Sequence, residues 1–240
     1  MGVDPLPLAP ELVQVLTGIT TATLTTVLLK KGLRNVWIRG AKPLRPSQPR
    51  QVGRAFTLRF VPAREDLATP ASWASPISTR AAIEAMPEGC VAVVDAMGVS
   101  DAGIFGDILC ARMNKRRVAA LVTDGVIRDL DGVQGTGLPV WCQGVAAPAS
   151  VAGLTFVSWQ EPIGCGGVAV FPNDVVVVDN DGAVLIPQAL LDEVVTAAVE
   201  QERLEGWIME QVEAGTPLPG LYPPNEENKA RYQAWASQSK

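Results

Sequence analysis

The 240-residue sequence predicts an α/β fold. Three observations carry that reading. Cys90–Asp95 (CVAVVD) and Val118–Thr123 (VAALVT) are short, continuous apolar runs, the pattern of strands covered on both faces. A helical stretch, Ile108–Arg117, lies between them, so strand, helix, strand and an acidic turn follow in the order of a βαβ unit. Hydrophobic residues make up 48% of the chain and charged residues 19%, which suits a packed globular domain and not a disordered one. A chain this long buries roughly 70% of its unfolded surface, enough for one sizeable core.

Each element follows from local pattern. Residues 1–10 are Pro-rich and apolar and read as an arm. Glu11–Lys31 carries apolar residues at helical spacing, as two short helices broken near Gly18–Thr20, with Thr20, Thr21 or Thr23 available to cap the second. Three prolines and several basic residues make 40–52 a loop, and Val52–Val61 follows as a strand. Residues 62–78, rich in Pro, Ala and Ser and containing Trp73, read as an active-site or mobile loop. Ser78–Met86 is a short helix ended by Pro87-Glu88-Gly89. Past Arg128 the glycines and prolines are dense, with β-rich pieces at 139–145 and 154–159. Val175–Val178 and Ala183–Ile186 flank Asp179-Asn180-Asp181-Gly182, a hairpin pattern. Leu190–Val212 is a long amphipathic helix. The tail from Thr216, with Pro217, Pro219, Pro223 and Pro224, is expected to pack on a neighbour or stay mobile. The predicted organisation is therefore an arm and helix start at 1–19, one domain over 20–215, and a Pro-rich polar tail over 216–240.

Residue classes exclude several functions. The chain has no His, so Ser-His-Asp hydrolysis, His-ligated zinc and imidazole proton shuttles would need a residue from elsewhere. Cys90, Cys110, Cys142 and Cys165 lack C-x-x-C spacing and read as buried cytosolic thiols. Neither an 18-residue apolar run nor a basic segment followed by a long apolar core is present, so no membrane span and no secretory leader are expected, and a cytoplasmic location is. A net charge of −5 argues against nucleic-acid binding.

Chemistry is expected where polar residues cluster among apolar ones. Thr123–Asp129 (TDGVIRD) follows a buried strand directly, and ligands of α/β proteins gather at carboxyl ends of strands. Carboxylates there suit a hard divalent ion, and the fork of Arg128 suits a carboxylate or enolate. Equally, Asp124-Gly125 is a turn pattern and Arg128-Asp129 a local ion pair. Gly106-Asp107 opens a helix, where the amides of Gly106, Asp107, Ile108 and Leu109 are free to hold an anion; alternatively, Asp107 caps the helix. Gly164-Cys165-Gly166-Gly167 lacks the phosphate-loop pattern and reads as a tight backbone crossing. Glu200, Glu202 and Glu205 on the long helix, and the run Arg112, Lys115, Arg116, Arg117, read as solvated faces. The six Trp residues form no stacking stripe.

These motifs resemble the RraA-like family, which holds the 4-hydroxy-4-methyl-2-oxoglutarate/4-carboxy-4-hydroxy-2-oxoadipate aldolases and the regulators of ribonuclease activity. The likeness rests on Gly106-Asp107-Ile108-Leu109 with Val118–Asp129. Pro172-Asn173-Asp174-Val175 through Asp179–Pro187 adds to it, and Thr21–Leu24 and Val52–Thr57 match more weakly. It implies a β/β/α swivelling domain with N-terminal helices and a long C-terminal helix, assembled as trimers or hexamers. It also implies a class II aldolase using Mg²⁺ or Mn²⁺ that cleaves a 4-hydroxy-2-oxo (di)carboxylic acid to pyruvate, with oxaloacetate decarboxylation alongside. By that resemblance Asp129 is the direct metal ligand, Arg128 contacts substrate, Asp107 holds water on the metal, and the amides of Ile108 and Leu109 receive the 2-oxo acid carboxylate. Glu205, counted back from Gly215, completes the site from the adjacent subunit. This chain departs from the family at Thr25-Thr26, where Ser-Asp is usual, at Arg117 and Ala120, where Gly is frequent, and at Asn173, where Gly is usual. Two alternatives stand beside the aldolase: a non-catalytic regulator binding an RNase E-type ribonuclease, and a metal-assisted lyase on sugar-acid derived substrates, which Thr25-Thr26 makes plausible.

Overall fold

The computed structural model describes residues 4–238; the first three residues of the expected arm and the last two of the tail lie outside them. In chain order the helices are α1 (Pro10–Thr17), α2 (Thr21–Lys30), α3 (Thr79–Ala85), α4 (Asp107–Lys115), α5 (Leu130–Gly135), α6 (Leu191–Glu213) and α7 (Glu226–Gln238). The strands are β1 (Lys42–Pro43), β2 (Gln51–Pro62), β3 (Val91–Asp95), β4 (Ala120–Thr123), β5 (Val126–Ile127), β6 (Val140–Cys142), β7 (Gly144–Val145), β8 (Leu154–Trp159), β9 (Val175–Asp179) and β10 (Gly182–Ile186).

One mixed sheet organises the molecule, in the order β1-β6-β4-β3-β2-β9-β10, with β8 also on β2. The expected βαβ unit is present: β2, β3, β4 and β6 run parallel. The twelve-residue β2 spans the assembly. Its start pairs with β9, its middle with β3 and its end with β8. Because side chains alternate across a strand, the sheet separates two cores. Phe56, Leu58, Ala92, Val94 and Leu121 pack on one face with α3 and α4, whereas Ala55, Val91, Val93, Ala120 and Val122 pack on the other with Trp141 and Val176. A third core joins α1, α2 and α6 to the β9–β10 hairpin through Leu16, Leu24, Leu28, Val177, Val184 and Val194.

The helix break falls at Thr20, whose hydroxyl accepts the N–H of Thr23 at 3.1 Å as the cap of α2. Asp179 in the hairpin ties α2 down by accepting the N–H and hydroxyl of Thr21 at 2.9 and 2.6 Å. Trp141, fully buried, donates its indole N–H to the Asp179 carbonyl at 2.7 Å. Two of the departures from the family pattern sit in left-handed backbone. Arg117 follows the end of α4 at φ 57°, and Asn173 stands at φ 72°, places where Gly is unstrained and Asn tolerable. Asn173 also anchors the arm, accepting the Leu6 N–H at 2.8 Å and donating to the Asp4 carbonyl at 2.9 Å.

The tail differs from expectation. It folds back as α7 on its own chain, where Tyr232 lies between Trp207 of α6 and Trp235, with ring centroids 5.7 and 5.9 Å apart. These aromatics form a local cluster, with Tyr232 and Trp235 stacked and Trp207 tilted against them, that sequence spacing did not reveal. The glutamates of α6 are not merely solvated either: Glu200 accepts the Tyr232 hydroxyl at 2.8 Å and Glu202 the Thr20 N–H at 2.8 Å. The basic run on α4 is largely neutralised, Arg112 forking onto Glu84 and Arg117 reaching Glu88. Gly166 makes the tight crossing expected of its segment, since a Cβ there would meet the Arg39 carbonyl oxygen at 2.5 Å. No single helix among the described residues is long and apolar enough to cross a membrane.

Candidate active site

The buried strand β4 delivers the polar segment Thr123–Asp129, and the structure divides it. Asp124 turns inward. Its carboxylate accepts the N–H groups of Ala96 at 2.8 Å and Gly166 at 2.9 Å, holding the loops after β3 and before β9 together. Burial pushes its carboxyl above the usual range, against the opposing pull of those amides. Asp124 is therefore a structural residue. Asp124→Ala leaves two loop amides without their acceptor and is expected to lower stability by about 1–3 kcal/mol, read as a lower denaturant midpoint at unchanged m value.

Asp129 turns the other way. β5 pairs with β7 and bridges to Gly103, and Arg128 follows, its N–H donating to the Phe105 carbonyl at 2.9 Å. Asp129 then takes a left-handed conformation (φ 56°, ψ 52°) at the start of α5. Such backbone is costly for a non-glycine residue, though least so for Asp and Asn. Its side chain makes no capping bond to the helix it begins. It lies instead against the Gly106 turn, where a Cβ would come within 2.5 Å of Asp129 Oδ2, and it accepts Arg128 Nε at 3.0 Å. The local ion pair is thus present, with both side chains still substantially exposed (37% and 46%). Gly103, which sequence reading passed over, makes this approach possible, because a Cβ there would lie 2.8–2.9 Å from Arg128. The available signal was two glycines three residues apart before a helix.

Asp107 begins α4 but is not its cap; Gly106 occupies that position. The Asp107 carboxylate folds back to accept the Ile108 N–H at 2.7 Å, and its Cβ packs against Gly132 of α5. The Ile108 amide is consequently engaged, while the Leu109 N–H, in the first turn, has no intrahelical acceptor. Gly106, Asp107, Ile108, Leu109, Arg128 and Asp129 line one cleft of about 250 Å³, with Trp73, Thr79 and Arg80 on its far side. The site residues expected from a single chain are therefore brought together. Glu205 does not line this cleft; it packs on α2, accepting Gln201 Nε2 at 2.7 Å and the Thr23 hydroxyl at 3.4 Å. Thr25 and Thr26 also lie on α2, their hydroxyls bonded back to the Ala22 carbonyl.

The donors suit a hard cation. They are carboxylate oxygens, as Mg²⁺ and Mn²⁺ prefer, in a recess that a Cβ on Gly106 would fill. The described residues hold no group of three His, Cys, Asp or Glu side chains placed to share an ion. The fit is to an ion that takes a single protein carboxylate and retains water, which is how Mg²⁺ commonly binds. The cysteines offer nothing: all four are buried, and desolvation raises Cys90 and Cys110 to about 12 and Cys142 to about 11.

An α/β domain with N-terminal helices, a mixed sheet and a long C-terminal helix, carrying an acidic and guanidinium cleft at the end of a buried strand, is the β/β/α swivelling type. The family profile described as RraA-like, Aldolase/RraA, matches residues 21–185, and the chain belongs to that family. Among solved structures, RraAS2 of Streptomyces coelicolor, described as an unusual member of the RNase ES inhibitor RraA family, is 34% identical. The match covers 84% of this chain and 97% of that one, with a TM-score of 0.75. An uncharacterized protein of Pseudomonas syringae pv. tomato is 27% identical over 90% of this chain and 99% of that one, with a TM-score of 0.77. A proposed 4-hydroxy-4-methyl-2-oxoglutarate aldolase of Halalkalibacterium halodurans is 34% identical over 51% of this chain and 58% of its own length. Protein DlpA of Legionella pneumophila is 26% identical over 87% of this chain but only 33% of DlpA. The chain thus spans a third to somewhat over half the length of these two curated relatives.

Proposed function

We propose that the protein is a divalent-metal-dependent lyase that cleaves a 4-hydroxy-2-oxo acid to release pyruvate, with oxaloacetate decarboxylation as a side activity. The observation that carries this reading is the meeting of Asp129, Arg128 and Asp107 around one small cleft. Asp129 would hold Mg²⁺ or Mn²⁺. The ion, when bound, would supply Lewis-acid polarisation of the 2-oxo group.

The rest falls to the chain. The Arg128 guanidinium donates to the substrate carboxylate and to the enolate oxygen as C3–C4 cleavage develops charge there. The Leu109 N–H, and the Ile108 N–H once Asp107 Oδ1 swings away from it, receive the other carboxylate oxygen. The freed Asp107 carboxylate holds a water through which it takes the C4 hydroxyl proton and then returns it to C3 of the enolate to give pyruvate, so no imidazole is required. In a trimer or hexamer, Glu205 of the partner subunit would close the cleft. The test is pyruvate release from 4-hydroxy-2-oxo acids and oxaloacetate by chelator-treated protein, before and after adding Mg²⁺ or Mn²⁺. Activity is expected only after addition, and equal rates in both conditions refute the metal-dependent reading.

The likeness to RraAS2 over nearly its whole length favours a second reading, a regulator that binds an RNase E-type ribonuclease. Capture of that ribonuclease by the protein, with no pyruvate formed from any 2-oxo acid tried, would put it first.

A further inference from the structure

A chamber of about 380 Å³ adjoins the cleft, sharing Trp73, Thr79 and Ser150 with it as common walls. Its roof is the loop of residues 63–78, and its floor comes from β2 and β8 through Phe60, Leu154 and Phe156. The volume is within the range of small-molecule sites.

Among the described residues, no charged side chain lines the chamber. Most of its hydroxyls are already committed to nearby backbone. Ser72 donates to the Thr69 carbonyl at 2.6 Å, Ser75 accepts the Ile77 N–H at 3.1 Å, Ser78 caps α3 on the Ala81 N–H at 3.3 Å, and Thr155 accepts the Arg64 N–H at 2.9 Å. Most of what faces the space is carbon, with Phe60 edge-on to Phe156 at 5.2 Å, and the Thr79 and Ser150 hydroxyls lie on the wall shared with the cleft. Arg80, a further cation at the cleft, holds its guanidinium 5.0 Å from the Trp73 ring centroid and so braces the shared wall.

We propose that this chamber receives the C4 substituent of the substrate, and that the substituent is apolar, an aryl or branched alkyl group, and not a second carboxylate. The proposal rests on the lyase reading above and gives the substrate class of that same site. A carboxylate placed in the chamber would lose its water, and none of the residues lining the chamber carries a positive charge to pair with it. An aryl group would exchange water for the faces of Phe60, Phe156 and Trp73.

Calorimetric titration of the full chain in excess Mg²⁺ with pyruvate, 2-oxoglutarate and 4-phenyl-2-oxobutanoate tests this. The phenyl compound is expected to bind at least tenfold more tightly than pyruvate, in line with the roughly 10–200-fold worth of a single methylene in an apolar pocket. 2-Oxoglutarate should bind no more tightly than pyruvate. Ala68→Phe on the loop and Val157→Phe on β8 fill the chamber from opposite sides. Either one, if folded by its melting transition, should erase the phenyl advantage and leave pyruvate binding unchanged. Equal affinities, a preference for 2-oxoglutarate, or a phenyl advantage surviving in the filled variants overturns the proposal while pyruvate binding keeps the lyase reading. If none of the three acids binds, both fall. If the filled variants change only the oligomeric state, the chamber is a subunit contact and the proposal fails.

Discussion

Asp129→Asn is expected to abolish metal-dependent pyruvate release, by about 10²–10³-fold or more, with an unchanged melting temperature. The magnitude is that of losing one stabiliser of a developing oxyanion, here the ion that Asp129 would hold. The separation of activity from folding follows from local geometry. Asn tolerates left-handed backbone as Asp does, and the Asp129 side chain makes no capping bond to α5, so the helix loses no partner. The lost contact is the half-exposed pair with Arg128, of the kind that contributes about 0–1 kcal/mol. Pyruvate assays across a Mg²⁺ series, with calorimetric Mg²⁺ titration of both proteins, provide the measurement. A variant with the parent's rate and metal dependence would show that Asp129 merely begins a helix. A variant that fails to fold would show that its charge is structural.

Trp141→Ala should be the most damaging single change to stability, costing about 3–5 kcal/mol and lowering the melting temperature by about 10 °C. Trp141 is the largest of the fully buried side chains, and it lies between the second core and the hairpin. Its indole N–H also satisfies the carbonyl of Asp179, whose carboxylate orients α2. Trp141→Phe removes the hydrogen bond but keeps most of the packing, so its loss should be well under half as large. Equal losses in the two variants would mean that the hydrogen bond, and not the buried volume, dominates.

The sheet and most helices were legible because their sequences carry their own signal. β3 and β4 are continuous apolar runs, β9 and β10 flank an Asp-Gly turn, and α6 keeps an apolar stripe over six turns. What was missed depends on partners. β1 and β5 are two residues each and exist only through the strands they meet. α7 presents a narrow apolar edge around Tyr232 and Trp235 within a polar, Pro-preceded tail, too little for periodicity to register.

At the site, the residue types and their neighbourhood along the chain were legible, but direction was not. Asp124 and Asp129, five residues apart, differ in which way a turn points them: one accepts two loop amides, the other lies on Gly106. The left-handed backbone that decides this for Asp129 leaves no mark in a single sequence. Likewise, nothing in the sequence gives the position of Glu205 relative to the cleft, because that depends on how chains assemble.

The four buried cysteines have a practical consequence. With every native thiol shielded and poorly ionised, alkylating reagents should find almost no thiolate in the folded protein. A lone cysteine placed at Ile77, on the exposed rim of the roof loop, would then accept a maleimide dye without prior removal of the natural ones. Fluorescence from that position would report movement of the loop as ligands enter beneath it.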